Sequence, residues 1–388
     1  MDYGMICEWN PLHTGHERLI REARKRGAER IVCVMSGNTV QRGEFAVADR
    51  YLRAEAAIRC GVDLVLELPF PFCSGSAESF AKGGISILRH FCDRVIFGSE
   101  CGDLSLLVSA AAVSEDPSFR ETYRLALREG EGSASAYARL LADRGIHGLS
   151  SNDLLGVEYI RQSRALGCDL SMETVCREGL AYGERALTEG QYPSATALRG
   201  LWEKGRYEEA NAYLPPEAAE VFARGRAEGR MLSSARLENV ILSYFRLREG
   251  SEFDGILGCG GGLGNRICRI ARSVTTLSEL YEELGTKRYT DAALQRTLLY
   301  CLLGVTPEDM EGLPVYTMVL GANERGRAML REAMRRLPED FSVVTKPADA
   351  PKEARQTLLA QKADGIYTLC TEEPRDAYFL MKRSPYMA

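Results

Sequence analysis

The sequence predicts an α/β fold built on a doubly wound parallel sheet, and three features of its first hundred residues indicate this. Short apolar segments alternate with segments of helical character. The apolar segments are continuous, a pattern typical of strands that helices cover on both faces. Turn-forming residues such as glycine, asparagine and proline follow them. Because β-α-β connections are right-handed, the repeated pattern builds one sheet. The predicted elements are strands at 4–7, 31–35, 63–69 and 94–97, and helices at 15–27, 49–60 and 76–90.

After residue 100 the pattern changes. Residues 103–145 are predicted to be helical, and residues 170–175 to add a further strand. A long helix-like stretch rich in Arg, Glu, Leu and Ala follows, and a new α/β pattern begins at Val315. We therefore predict an α/β domain at 1–204 with a helical insertion at about 103–145, a helical domain at 205–312, and a small C-terminal α/β domain at 313–388.

The composition excludes several classes of protein. The chain has 388 residues and a formal charge of -5, so any nucleic-acid surface must be a local basic patch. Its twelve cysteines are scattered without a C-x-x-C pair, which predicts buried thiols in a reducing compartment and no zinc site or other protein-held metal. The sequence has no signal peptide and no apolar run long enough to cross a bilayer, so we expect a soluble, cytoplasmic protein without a membrane partner.

The most informative segment is Glu-Trp-Asn-Pro-Leu-His-Thr-Gly-His-Glu at 8–17, between the first strand and the first helix. Gly15 lets the backbone approach a phosphate, and the helix start directs free N–H groups and a partial positive charge at the anion. His13 and His16 are then placed to donate hydrogen bonds to phosphate oxygens as charge develops at the α-phosphorus. Two ordinary surface histidines are the alternative. We favour nucleotide binding because two of the chain's four histidines lie three residues apart at this junction.

A second phosphate-binding candidate is Pro-Ser-Ala-Thr-Ala-Leu-Arg at 193–199. Ser194 is predicted to cap a helix, so that hydroxyls, free N–H groups and Arg199 meet at one helix end. This arrangement suits a β/γ-phosphate or pyrophosphate, whereas a simple capped helix start is the alternative. The upstream H-x-G-H element favours the phosphate-binding role.

Further polar residues lie at the same predicted edge of the sheet. The loop at 35–44 can close over a site, and Arg42 is its best candidate for an anion such as a carboxylate or an RNA phosphate, although an exposed turn explains the loop equally well. Asn152, at the start of a helical run, and Arg177, after the strand at 170–175, are further candidates for the nucleotide.

Two segments in the second half of the chain need separate interpretation. Lys287 and Arg288 combine with Tyr289 in a way that suits RNA, although a solvated helix face explains them better on sequence alone. The glycine cluster at 258–264 lacks the Lys-Ser/Thr ending of a phosphate-binding loop, and we interpret it as a flexible joint.

Taken in order, these segments resemble the tRNA(Met) cytidine acetate ligase family of the H-x-G-H nucleotidyltransferase-like superfamily. The resemblance covers nearly the whole chain, and the ordered set is far more specific than H-x-G-H alone. Two departures occur, because residues 182–184 are Tyr-Gly-Glu where the family commonly has Tyr-His-Asp, and Asp153 replaces a second asparagine. The resemblance rests on residues 8–16, 35–38, 41–44, 63–69, 97–100, 151–156, 194–199, 262–267, 286–290 and 363–367.

The resemblance implies a Rossmann-like ATP-binding domain at 1–204, a candidate tRNA-binding domain at 205–312, and a particular reaction. Acetate and ATP would form acetyl-adenylate and pyrophosphate. The exocyclic amine of the wobble cytidine of elongator tRNA(Met) would then take the acetyl group, giving N4-acetylcytidine and AMP without acetyl-CoA. A divalent cation, expected to be Mg²⁺, would bridge the phosphates without a dedicated protein cage.

The resemblance also implies a role for each matched residue. His13 and His16 would be catalytic, stabilising the displacement at phosphorus. The segment at 194–199 would hold the departing pyrophosphate. The complete set expected at ATP is Ile6, Cys7, Glu8, Asn10, Pro11, His13, Gly15, His16, Leu19, Gly98, Asn152, Arg177, Ser194, Thr196 and Arg199, and the residues expected at tRNA are Arg42, Lys287 and Arg288.

Two alternatives stay open at this point. The first is an H-x-G-H nucleotidyltransferase paralogue with another acceptor, although such enzymes are usually one compact domain and this chain continues far beyond Arg199. The second is a non-catalytic nucleotide-binding or tRNA-binding protein, which the loss of the family histidine at Gly183 keeps open.

Overall fold

The computed structural model describes residues 1–129, 131–177, 194–285 and 289–388. Within these ranges one eight-stranded sheet runs through the molecule. Its strands are β1 (Asp2–Cys7), β2 (Arg30–Ser36), β3 (Leu64–Leu68), β4 (Arg94–Ser99), β5 (Ser171–Cys176), β6 (Tyr316–Ala322), β7 (Ser342–Val344) and β8 (Tyr386–Met387).

The strand order is β5-β4-β1-β2-β3-β6-β7, and β8 also pairs with β6. The first five strands are parallel to one another. The chain moves outward from β1 through β2 to β3 and then returns to place β4 on the other side of β1, which confirms the predicted doubly wound sheet. This reversal opens a crevice at the carboxyl ends of β1 and β4, where ligands bind in folds of this class.

Helices form where an apolar face and a capping residue coincide. The predicted helix at 49–60 is an example, because Asp49 precedes it and its carboxylate accepts hydrogen bonds from the backbone of Tyr51 and Leu52. The helices of the described ranges are α1 (Thr14–Lys25), α2 (Arg50–Arg59), α3 (Ala77–Leu88), α4 (Leu104–Glu115), α5 (Pro117–Arg128), α6 (Ser133–Ala142), α7 (Ser151–Ala165), α8 (Ala195–Glu203), α9 (Tyr207–Asn211), α10 (Pro216–Ala227), α11 (Ser234–Arg246), α12 (Leu263–Ala271), α13 (Leu277–Leu284), α14 (Asp291–Leu303), α15 (Glu324–Met334) and α16 (Arg355–Leu369).

The C-terminal segment at 313–388 has the predicted α/β character but does not form a sheet of its own. β6 pairs antiparallel with β3, and β8 pairs with β6, so these strands extend the N-terminal sheet. The pairing covers an edge of β3 that would otherwise expose unpaired backbone groups. Every residue of β6 is buried, as expected for a strand inside a sheet. The domain boundaries at 204 and 312 stay predictions.

A second, smaller apolar core joins α11, α12, α13 and α14, apart from the core that surrounds the sheet. Part of the glycine cluster packs inside it. A Cβ atom added at Gly264 would lie 2.5 Å from the carbonyl oxygen of Gly250, so α12 begins against a neighbouring backbone. Close packing therefore requires Gly264, and our interpretation of the cluster as a flexible joint was wrong at this residue. Within the described ranges, no helix is both long and apolar enough to cross a bilayer.

Candidate active site

The crevice between β1 and β4 collects the predicted nucleotide-binding residues. The H-x-G-H turn follows β1, Gly98 lies in β4, Arg177 follows β5, and α7 brings Asn152 to the same edge. These groups are close enough to interact, because the positive charge of Arg177 helps to lower the pKa values of both His13 and His16. The sheet therefore brings together residues that the sequence separates by up to about 160 positions.

His13 and His16 start α1 through a reciprocal cap. The Nδ1 atom of His13 accepts a hydrogen bond from the backbone N–H of Gly15 at 3.1 Å, and Nδ1 of His16 accepts one from the backbone N–H of His13 at 3.4 Å. The two ring centroids lie 3.8 Å apart. Because Nδ1 accepts in both rings, the proton of each neutral imidazole resides on Nε2. Each ring therefore retains one N–H group for an oxygen atom of a ligand.

Burial keeps this imidazole pair uncharged. Desolvation, with a smaller contribution from the charge of Arg177, lowers the pKa of His13 to about 3, and His13 is 3% exposed. Desolvation also lowers the pKa of His16 well below its usual value, assisted by His13 and Arg177. At neutral pH both rings are hydrogen-bond donors without net charge. The positive potential of the crevice therefore comes from Arg177 and the N-terminus of α1.

The turn before His13 is fixed through its main chain. The buried Arg53 donates a hydrogen bond to the carbonyl oxygen of Glu8 at 2.6 Å, and Oδ1 of Asn10 accepts one from the backbone N–H of Val47 at 2.8 Å. Trp9 adopts a φ of 44°, a conformation that is costly for a residue with a Cβ atom. Its side chain is buried, and packing together with these hydrogen bonds holds the turn in place.

The loop after β2 is anchored at both sides rather than free to close as a lid, which corrects the expected behaviour of residues 35–44. The backbone N–H of Gln41 donates to Oε1 of Glu8 at 2.7 Å, and burial raises the pKa of that glutamate. Gly43 has a φ of 84° and lies directly against the backbone of Arg296 in α14. The loop is therefore a wall of the site, and the anion-binding role of Arg42 stays a prediction.

Arg199 connects α8 to the H-x-G-H turn. Its guanidinium donates to the carbonyl oxygen of Asn10 at 2.8 Å, to the carboxylate of Glu44 at 3.2 Å and to Oγ1 of Thr196 at 3.3 Å. Ser194 caps α8 by accepting a backbone N–H bond at 3.2 Å. The structure thus places the two predicted phosphate-binding segments side by side.

Glu100 is a site residue that the sequence analysis did not select. Its carboxylate accepts a hydrogen bond from Nδ2 of Asn152 at 2.5 Å and faces Nε of Arg177 at 3.7 Å. A Cβ atom added at Gly98 would lie 3.1 Å from Cγ of Arg177, so the arginine side chain packs closely over this glycine. The available signal was the position of Glu100 directly after β4, at the carboxyl edge of the sheet.

Asp153, which departs from the sequence expected from the resemblance, has a defined structural role. Its Oδ2 atom accepts the backbone N–H of Ser150 at 2.8 Å, and its Oδ1 atom accepts that of Cys101 at 3.1 Å. Burial acts to raise the pKa of Asp153, but these hydrogen bonds outweigh it and hold the pKa below its usual value. The carboxylate therefore fixes the start of α7, from which Asn152 projects.

The apolar members of the predicted set pack against the protein itself. The side chain of Ile6 packs against Gly84 of α3, where an added Cβ atom would be 2.5 Å from Ile6 Cδ1. Cys7 and Leu19 pack against the main core, and Pro11 is buried. Their side chains therefore support the fold, and their contact with ATP stays a prediction.

Some predictions lie outside the described residues. Lys287 and Arg288, expected at tRNA, are among them, as is the Tyr-Gly-Glu sequence at 182–184. Their expected roles are therefore predictions from the sequence alone.

Comparison with known proteins identifies the family. Residues 1–379 match the HIGH Nucleotidyl Transferase family. The tRNA(Met) cytidine acetate ligase of Caldanaerobacter subterraneus subsp. tengcongensis is 32% identical over 386 residues, which cover 94% of each chain, and that of Syntrophotalea carbinolica is 36% identical over 354 residues, 86% of this chain and 83% of the relative.

Solved structures are similar over the same extent. The crystal structure of Thermotoga maritima TmcAL bound with alpha-thio ATP superimposes with a TM-score of 0.88 and 29% sequence identity, covering 100% of this chain and 99% of that one. The apo form of the same protein gives a TM-score of 0.89. The chain therefore belongs to the tRNA(Met) cytidine acetate ligase family of the HIGH nucleotidyl transferases.

Proposed function

We propose that this protein is an ATP-dependent ligase that activates acetate as acetyl-adenylate and transfers the acetyl group to the wobble cytidine of elongator tRNA(Met). The observation that carries the proposal is the pair of uncharged imidazoles at the start of α1, each with its Nδ1 atom engaged by a backbone N–H. The names of the relatives, and the ATP analogue bound to the T. maritima protein, support the choice of reaction.

In the first step, a carboxylate oxygen of acetate attacks the α-phosphorus of ATP, and the bond to the bridging oxygen of pyrophosphate breaks. Negative charge on the α-phosphate oxygens rises during this displacement. The Nε2–H groups of His13 and His16 donate hydrogen bonds to these oxygens, and Arg177 and the N-terminus of α1 add positive potential. Because the imidazoles are already neutral and oriented, no proton has to move onto or off them.

We assign the departing pyrophosphate to the start of α8. Ser194 and Thr196 supply hydroxyl groups there, and Arg199 supplies a guanidinium that is already held by the protein. Among the described residues, no group of three or more His, Cys, Asp or Glu side chains is arranged for a metal ion. These donors do not form a protein cage for Mg²⁺, so we expect the cation to arrive on the ATP phosphates and assign no step to it.

In the second step, the exocyclic amine of cytidine attacks the acyl carbon of acetyl-adenylate. The C–O bond to AMP breaks, AMP leaves with the bonding electron pair, and the amine nitrogen loses one proton. Acetylation of an amine by a mixed anhydride is thermodynamically favourable. The main task of the enzyme in this step is therefore to place the amine next to the acyl carbon.

Mass spectrometry of bulk tRNA incubated with the protein, ATP and isotopically labelled acetate tests this proposal. We expect pyrophosphate release that requires acetate, and labelled acetyl groups on the wobble cytidine of elongator tRNA(Met). Pyrophosphate release that is equal with and without a carboxylic acid would contradict the proposal and would favour a nucleotidyltransferase with another acceptor.

A further inference from the structure

A cleft of about 1020 Å³ lies next to the candidate active site, between the sheet core and the helical core. One wall is formed by α8, α9 and the loop at 43–47, and the opposite wall by α11, α13 and α14. The volume is many times that needed for acetate and is sufficient for a nucleotide.

The cleft shares a wall with the H-x-G-H turn. Arg199 and Val47 both line the cleft, and both donate hydrogen bonds to Asn10. The guanidinium of Arg199 donates to the carbonyl oxygen of Asn10 at 2.8 Å, and the backbone N–H of Val47 donates to Oδ1 of Asn10 at 2.8 Å. Asn10 lies three residues before His13. Thr196 and Arg199 at the start of α8, to which we assign the pyrophosphate, also line the cleft. The cleft therefore adjoins the proposed phosphate site, and a molecule in it lies next to a nucleotide held by the histidines.

The wall formed by α8, α9 and α10 carries a guanidinium and the partly exposed ring of Tyr207, whereas the ring of Trp202 is 5% exposed and lies behind them. The guanidinium of Arg226 lies 3.3 Å from the ring centroid of Tyr207 and 5.8 Å from that of Trp202. The indole N–H of Trp202 is buried without a hydrogen-bond partner among the described residues. Tyr281 lines the opposite wall. Stacked aromatic and guanidinium surfaces are the usual means by which proteins bind single-stranded RNA bases.

We propose that this cleft receives the acceptor nucleotide of the RNA substrate, unstacked from its loop, and presents its exocyclic amine to the acyl-adenylate. This inference rests on the function proposed above and adds to it the place where the acceptor binds. An RNA base has to leave its stack to react inside a protein, and a partly open cleft with aromatic walls compensates for the lost stacking.

Gly200 provides a way to fill the cleft without rebuilding its walls. It lies in α8 on the cleft side, and a Cβ atom added there would have no described atom within 4 Å. A tryptophan at this position therefore projects into open space. Gly260 offers a matched control outside the cleft, because an added Cβ atom there also meets nothing within 4 Å.

The test separates the two half-reactions in Gly200→Trp. Acetate-dependent exchange of labelled pyrophosphate into ATP measures adenylation, and labelled acetate incorporated into tRNA measures transfer. We expect exchange within about twofold of the wild-type rate and transfer reduced about 10- to 100-fold at subsaturating tRNA, the range for losing a stacked base. Gly260→Trp should leave both reactions unchanged.

The outcomes distinguish this inference from the proposed function. A wild-type protein without acetate-dependent exchange refutes the proposed function itself. If the wild type carries out both reactions and Gly200→Trp transfers acetate normally, or loses exchange as strongly as transfer, the inference about the cleft is wrong and the proposed function stands. Thermal unfolding checks that the Gly200→Trp variant is folded. Tyr281→Ala, on the opposite wall, is a second variant for comparing exchange with transfer. We expect it to raise the KM for tRNA and to leave exchange unchanged.

Discussion

Asp364 of α16 binds Arg50 of α2 through two hydrogen bonds of 2.8 Å, and its Oδ1 atom also accepts one of 2.7 Å from Asn38. Asn38 lies in the loop after β2, and its Oδ1 atom accepts the backbone N–H of Arg50 at 2.9 Å. All three residues are buried. The C-terminal segment therefore extends the sheet and also holds the loop that contacts the H-x-G-H turn.

Asp364→Ala should strongly destabilise the protein. The substitution removes the acceptor that Arg50 and Asn38 share, and the buried guanidinium keeps only Glu67 as a carboxylate partner, at 3.3 Å. Leaving buried donors unsatisfied in this way costs about 1–3 kcal/mol, and more where the donor is charged. Urea unfolding at neutral pH measures the loss. Glu332→Ala is the control, because its pair with Arg30 is half exposed and such pairs contribute little. If the two variants lost equal free energy of unfolding, the buried pair would contribute no more to stability than the half-exposed pair.

His13→Asn should slow acetate-dependent pyrophosphate exchange by about two to three orders of magnitude, the scale for losing one oriented donor to a transition state. Asparagine keeps an oxygen that can cap α1, so folding should be preserved. Initial rates at saturating ATP and acetate give the comparison, and the exposed His147→Ala is the control. If His13→Asn exchanged pyrophosphate at a rate close to that of His147→Ala, the imidazole of His13 would have no part in the chemical step.

The parallel sheet could be predicted because its signal is local. Each strand is a continuous apolar segment followed by turn residues, and the repetition of strand and helix fixes the order of connections. The apolar segment at 315–320 predicts a strand for the same reason, and β6 is observed at Tyr316–Ala322. Its partner was not predictable, because antiparallel pairing with β3 is a long-range choice that the apolar pattern does not encode.

The buried charges could not be predicted from the sequence, because an isolated arginine or aspartate in a helix resembles a surface residue. Arg53 lies next to Leu52 in an amphipathic helix, yet it is fully buried and donates to the carbonyl oxygens of Ala48, Glu8 and Ser36. Burial of a charge requires several acceptors from distant segments to converge, and that convergence exists only in the folded chain.

Acidification should destabilise the protein partly through His13. Its pKa is about 3 in the folded state and 6.5 ordinarily, so between these values the unfolded chain binds a proton that the folded chain excludes. The free energy of unfolding therefore falls as the pH falls below 6.5, by about 1.4 kcal/mol per pH unit for this group, and the contribution is complete above 6.5.

Urea unfolding of wild type and His13→Asn at pH 7.5 and pH 5 isolates this contribution. The asparagine does not titrate, so the variant should lose less stability than the wild type between the two pH values. Groups away from His13 titrate equally in both proteins and cancel in the comparison. The pKa of His16 rises when His13 is replaced, because His13 helps to lower it, and this change also reduces the loss of stability of the variant. Parallel pH profiles would mean that His13 is protonated in the folded state, and the assignment of a neutral imidazole would be wrong.

Asp153→Asn introduces the asparagine expected from the resemblance, yet it should impair this protein. Both carboxylate oxygens accept backbone N–H groups, from Ser150 and from Cys101, so an amide NH₂ would face one of these donors. A buried unsatisfied donor costs about 1–3 kcal/mol, and the start of α7 should shift, raising the KM for ATP through Asn152. Asp103→Asn is the matched control, because its cap of α4 uses a single oxygen that asparagine also provides. Urea unfolding and ATP-dependent exchange kinetics measure both effects. If the Asp153→Asn protein were as stable as the control and had an unchanged KM for ATP, aspartate and asparagine would be equivalent at this position and the prediction would be wrong.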